Sequence, residues 1–112
     1  KKKKKRICGS AVEIDLKLDN GRVAAYGATV NACALGQTSA AIVAEQIIGS
    51  TPEELRALRD RMAAMLRADG PPPNGKWDDL KYLEPVRAFP ARHASTLLVF
   101  DAVVEALERA EA

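Results

Sequence analysis

The sequence predicts an α+β fold: a small antiparallel β-sheet covered by helices, in the order strand, strand, helix, helix, connector, helix. Two observations predict it. Apolar and polar residues alternate from Ala11 to Asp19 ahead of a second run that ends at Asn31, and after Cys33 the apolar period lengthens to about 3.6, interrupted by one irregular connector. At 112 residues, 47% of them hydrophobic, the chain has the size of one domain that buries a core without disulfide or metal staples. It contains no internal repeat.

The first strand runs from Ala11 to Asp19. Val12, Ile14, Leu16 and Leu18 alternate there with Glu13, Asp15, Lys17 and Asp19, the pattern of an antiparallel strand with one wet face. Asn20-Gly21 tolerates positive φ and turns the chain into a second strand, Arg22 to Asn31. A two-residue turn pairs Asp19 with Arg22 and Cys8 with Cys33. A three-residue turn with a bulge at Gly21 pairs Leu18 with Arg22 and Cys8 with Ala32. The bulged register is preferred, because it turns Ala24, Tyr26, Ala28 and Val30 toward Ile14 and Leu16, whereas the other buries Gly27 and Thr29. Either register leaves Cys8 and Cys33 as neighbours.

Leu35, Thr38, Ala41, Ile42, Glu45 and Ile48 outline the first helix, which stops at Gly49, a glycine suited to the position after a helix end. Thr51-Pro52-Glu53-Glu54 reads as a capping box: N-cap threonine, proline at the first helical position and glutamate at the third. The helix it opens carries Leu55, Leu58, Met62, Met65 and Leu66 on one face, so the methionines are core residues rather than ligands. Gly70 and Pro71 to Pro73 end it. From Asn74 to Pro90 the chain is irregular, with a short helix over Trp77 to Leu83. Trp77, Leu80, Tyr82, Leu83, Val86 and Phe89 anchor this connector. The last helix, about Ala94 to Arg109, buries Leu98, Val99, Ala102, Val103, Ala106 and Leu107.

Net charge is +2, yet Lys1 to Arg6 are all basic, so the rest of the chain is acidic on balance. A lysine run binds nucleic acid or anionic lipid in some proteins. Without interleaved aromatic residues, positions 1–6 read instead as a solvated, disordered basic tail or a non-native addition, and 7–112 as a single domain. A strand begins almost at once, so the sequence has the look of one that starts in mid-domain. No run of 18 apolar residues is present, so no membrane span is expected, and no nucleic-acid partner.

Cys8 and Cys33 are the only cysteines. Cys33 falls where strand gives way to helix, near unpaired amides and the positive end of the helix dipole, an environment that favours the thiolate as nucleophile and metal ligand. On spacing alone, a metal or sulfur site, a cross-strand disulfide and a pair of small buried hydrophobes all remain open. His93, the one histidine, and Ser95 precede or open the last helix, where capping is their ordinary role. No nucleophile-elbow motif surrounds Ser95, so a serine hydrolase is not indicated.

Cys8-Gly9-Ser10, the Asn-Gly hairpin, the stretch Ala32 to Ala41 (ACALGQTSAA), and Glu84-Pro85-Val86-Arg87-Ala88-Phe89-Pro90-Ala91-Arg92 followed by Leu98 and Asp101-Ala102 resemble the NifU/IscU scaffold family of iron-sulfur cluster assembly. The likeness covers nearly all of the chain from Ile7 onward. Its connector and Phe-Pro-Ala-Arg segment are closer to the SufU-like branch. The family pattern is a cysteine with an aspartate two residues later, a second cysteine at a strand-to-helix junction and a third opening the last helix. Cys8 and Cys33 match the first two. Ser10 stands at the aspartate position, and counting from either side places Ser95 at the third cysteine.

The resemblance implies a SufE/NifU-like fold and a non-enzymatic, cytoplasmic scaffold that binds iron or a labile iron-sulfur cluster and receives sulfur from a cysteine desulfurase. Cys8, Cys33 and His93 are the implied metal ligands, with Ser10 and Ser95 lining the site as poor neutral oxygen donors. One chain is then short of the four ligands that zinc or a cluster takes. A homodimer sharing a [2Fe-2S] cluster, a single iron or zinc ion, or a degenerate member acting only as an interaction module are the alternatives. Sulfurtransferase activity is a further one, and in the family it goes with a complete zinc site.

Overall fold

The computed structural model describes residues 2–7 and 10–111, with side chains described from residue 11 onward. Three strands form one antiparallel sheet in the order β1-β2-β3: β1 (Lys2–Ile7), β2 (Ser10–Asp19) and β3 (Arg22–Asn31). The α+β class and the helix-covered sheet are as expected, with one strand more. That strand is the basic run expected to be a disordered tail. Its register sets Lys2 opposite Asp15 and Lys4 opposite Glu13, residue types that favour one another across strands.

The hairpin corrects the preferred register. Asn20 and Gly21 both have positive φ, 54° and 74°, as a two-residue turn of the mirror-image kind requires, and Asp19 pairs with Arg22. The extra residue sits further along. Leu18 pairs with Val23 and Lys17 with Ala25, which leaves Ala24 as the bulge. Beyond it Leu16, Ile14 and Val12 stand opposite Tyr26, Ala28 and Val30, so Gly27 and Thr29 still escape the core face. Val23, not Ala24, is the buried residue near the turn. Its amide donates to the Ser50 carbonyl at 2.9 Å and its carbonyl accepts from Gly49 at 2.8 Å, which ties the sheet edge to the loop after the first helix.

Helix α1 (Ala34–Gln46) follows, and Gly49 ends the turn after it with φ +88°. Its buried face is Gly36, Ser39, Ala40 and Val43, continued by Ile47. That is one residue round from the outlined stripe, and Ile48 is 56% exposed. Apolar residues ring α1, so periodicity does not choose a face; packing chooses the small one. Helix α2 (Pro52–Arg67) buries the five residues expected of it. Thr51 Oγ1 accepts from the Glu54 amide at 3.1 Å. The other half of the capping box is diverted: Glu54 Oε2 accepts from the Trp77 indole at 3.1 Å and pairs with Lys76 at 3.2 Å.

The connector is more regular than its prolines and glycines suggest. Gly75–Ala88 is a 3₁₀ helix, and Trp77, Leu80, Leu83 and Val86 are its buried residues. Every third residue is buried, because three residues make a 3₁₀ turn and align side chains at i and i+3. Tyr82 and Phe89, expected as anchors, are exposed: Tyr82 falls off that row, and Phe89, the next position along it, comes after the helix has ended at Ala88. Arg87 fastens the connector to the end of α2, donating to the carbonyls of Met65 at 2.7 Å and Gly70 at 2.8 Å. After a turn at Pro90–Arg92, helix α3 (His93–Glu111) lies at the centre, against α1, α2, β1 and β2. It buries all six expected residues and Thr96, Leu97, Phe100 and Val104 besides.

Candidate functional site

Cys33 is the N-cap of α1, with extended backbone (φ −66°, ψ 173°). Its carbonyl accepts the first helical bond, from Gln37 at 2.9 Å. The thiol is free and exposed. It is not a capping hydrogen-bond acceptor of full geometry, but the amides of the first turn face it. The Gly36 amide contributes most to holding its pKa below the ordinary thiol range, followed by the Ser95 hydroxyl, against the opposing effect of burial. The Leu35 amide and the positive charge of Arg92 act in the same direction.

Ser95, in the first turn of α3, meets this sulfur: Cys33 Sγ lies 3.7 Å from Ser95 Oγ. The Ser95 hydroxyl also reaches the Arg92 carbonyl at 3.3 Å, so its proton serves that carbonyl when the thiol is protonated and the sulfur when it is ionised. Thr96 Oγ1 donates to the same carbonyl at 2.8 Å. Underneath, the fully buried Ser39 hydroxyl lies 3.2 Å from the Gly36 carbonyl and 3.0 Å from the Thr96 carbonyl, joining the starts of α1 and α3. Cys33 and Ser95, far apart in sequence, are thus brought together at two helix N-termini.

His93 is buried, and its Nε2 faces the carbonyls of Val86 at 3.1 Å and Arg87 at 3.2 Å. Two acceptors on one nitrogen place the proton there and leave Nδ1 as the nitrogen with a lone pair. Ser10 pairs with Ile7 at the start of β2. Cys8, between them, lies outside the described residues. Ala11 pairs with Asn31, so β2 begins at the end of the sheet where Cys33 stands. Among the described residues no three histidine, cysteine or acidic side chains gather as a metal site. A four-thiolate set does not fit those residues: Cys33 supplies the single thiolate and Ser95 an alcohol.

Two features of the site escape sequence reading. Arg92 places a positive charge at the N-terminus of α3, against the helix dipole, a local mismatch that marks the position. Leu35, Pro85, Val86, Phe89 and Arg92 line an apolar surface beside Cys33; nothing in the irregular connector sequence turns Phe89 outward, and it is the end of the 3₁₀ helix at Ala88, with φ −125° and ψ 77° at Phe89, that takes it off the buried row.

No family model matches the chain. The structure of a NifU-like protein (N-terminal) from Brucella abortus superposes with a TM-score of 0.96 at 47% identity, covering 99% of this chain and 78% of that one. An iron-sulfur cluster assembly scaffold protein, IscU, of Streptococcus pyogenes serotype M1 is 26% identical over 102 residues, 91% of this chain; the chain spans 64% of that relative's length. A scaffold protein for the SUF system from Fervidobacterium islandicum AW-1 shares the fold, with a TM-score of 0.82 at 21% identity, covering 91% of this chain and 76% of that one. With its strand-to-helix cysteine in place, the chain belongs to the NifU-like (N-terminal) family.

Proposed function

We propose that this chain is a non-enzymatic, cytoplasmic scaffold of iron-sulfur cluster assembly, and that Cys33 is the thiolate that first accepts sulfur or iron. One observation carries the reading: an exposed cysteine at the head of α1, its thiolate favoured by the Gly36 amide and the Ser95 hydroxyl, in a chain of the NifU-like family. Sulfur comes from a cysteine desulfurase. The Cys33 thiolate attacks the outer sulfur of the donor persulfide, a new S–S bond forms, and the donor cysteine leaves as thiolate. Iron, or a labile cluster such as [2Fe-2S], is the cargo, with Cys8 as second thiolate and His93 Nδ1 as the remaining nitrogen donor. Two chains supplying Cys8 and Cys33 each make up the four ligands, which makes a homodimer the loaded form. Zinc competes for the same donors.

Anaerobic reconstitution with iron and sulfide tests this. A weak, oxygen-sensitive chromophore is expected, absent in Cys33→Ala. A chain that takes up no metal under those conditions loses the scaffold role and keeps the fold.

A second reading, an interaction module in cluster assembly that carries no cluster, is favoured by the missing ligand group and by the apolar surface around Phe89. Elemental analysis with thiol counting separates the two. Iron or zinc near one per chain supports the scaffold, and no metal with two free thiols supports the module.

A further inference from the structure

We infer that Gly36 is the positioning residue of the Cys33 centre: its missing Cβ lets the first turn of α1 close on Ala32 and on the Ser95 carbonyl, and so sets the Cys33 sulfur at the Ser95 hydroxyl. A glycine inside a helix needs a reason, since it is the poorest helix former after proline. Turn geometry does not supply one, because Gly36 is not among the residues with positive φ. Close approach does. A Cβ at Gly36 stands 2.8 Å from Ala32 Cβ and 3.3 Å from the Ser95 carbonyl oxygen. Neither neighbour is the flexible end of a long side chain, so backbone has to move. The residues that move are those flanking Cys33 on one side and carrying Ser95 on the other. Ser39 holds the helices together one turn deeper, so the displacement falls on the N-terminal turn and on the 3.7 Å approach of Cys33 to Ser95.

The role in cargo binding rests on the scaffold reading; the geometric role does not. The test therefore has two arms. In a Ser95→Cys background, air-free protein is treated with oxidised glutathione, and the cross-link between Cys33 and the new thiol at position 95 is followed by peptide mass spectrometry. Gly36→Ala should slow the cross-link by roughly tenfold, because reaction between held groups falls steeply when they shift by about an ångström. Ala32→Gly in the same chain removes the clashing Cβ and should restore the rate, a rescue that general destabilisation does not produce. In the Ser95 background, iron-sulfide reconstitution should give less chromophore with Gly36→Ala and recover with Ala32→Gly/Gly36→Ala. An unchanged cross-linking rate in Gly36→Ala, a loss that Ala32→Gly does not reverse, or no cross-link in Ser95→Cys alone overturns the assignment. No chromophore in the unaltered chain alongside the expected cross-linking pattern removes the scaffold role and leaves Gly36 as the positioning residue.

Discussion

Cys33 Sγ and Ser95 Oγ approach to 3.7 Å across two helix N-termini. The serine is therefore a donor to the ionised sulfur, and its removal should be visible in the titration of the thiol. Ser95→Ala is expected to shift the pH midpoint of iodoacetamide labelling at Cys33 upward, toward the ordinary thiol range, while the Gly36 amide keeps it from reaching that range. The sign for stability follows. A depressed thiol pKa contributes stability above the ordinary thiol value and loses it as pH falls through the folded value. An unmoved midpoint in Ser95→Ala would mean that the hydroxyl stays on the Arg92 carbonyl.

The Glu54 carboxylate offers a second titration, away from the site. Burial opposes its ionisation, but the Trp77 indole N–H, the Lys76 ammonium and Ser50 outweigh it and hold its pKa below the ordinary carboxylate range. The stability this adds is present above that ordinary range and disappears as pH falls through the folded value. Glu54→Gln should flatten the acid limb of the stability curve and cost about 1 kcal/mol at neutral pH, a modest figure because the ion pair is part-exposed. Urea denaturation followed by Trp77 fluorescence measures both; an unchanged acid limb would show that the pair adds nothing.

The 3₁₀ connector depends on its buried row. Leu80 is fully buried in the middle of it, and Leu80→Ala should cost about 2–5 kcal/mol in urea unfolding by leaving a cavity that the short-turn helix cannot close. Tyr82→Ala, two residues on and 71% exposed, should change stability by less than about 0.5 kcal/mol. Equal losses at the two positions would contradict the period-three packing.

How much of this was legible in the sequence depended on how many signals agreed at each residue. Thr51-Pro52-Glu54 and the Leu55-to-Leu66 stripe point the same way, and α2 forms as read. Ile42 in α1 and Ile47 and Ile48 just after it point to different sides, so the buried face was decided by the close contact of Gly36 and Ser39 with α3, which no local pattern encodes. The bulge at Ala24 satisfies the same demand that favoured a bulge at Gly21; its position is set by the preference of Asn20-Gly21 for a tight turn. That the basic run forms β1 rather than a disordered tail is not encoded along the chain, because its register is set against residues of β2, in another strand. The place of Cys33 at a strand-to-helix junction, where the thiolate is favoured, was legible from the sequence. Its contact with Ser95 was reachable only through the family likeness, because spacing along the chain gives no hint of which helix N-terminus meets which.

Restoring the third cysteine tests what that contact is for. A tetrahedral zinc or cobalt ion holding two thiolates at about 2.3 Å separates their sulfurs by about 3.8 Å, close to the distance already present between Cys33 Sγ and Ser95 Oγ. Ser95→Cys therefore places a second thiolate where a shared metal needs it, with little rearrangement of α1 or α3. Cobalt titration under reductant is expected to show binding at least about tenfold tighter than in the unaltered chain, since a thiolate replaces a neutral oxygen donor, together with a stronger sulfur-to-cobalt charge-transfer band. Cys33→Ala in the same background should remove the gain, because the new thiolate then lacks its neighbour. Equal cobalt affinity with and without Ser95→Cys would show that position 95 does not face the ligand site, and would leave the serine as a hydrogen-bond donor to the sulfur and nothing more.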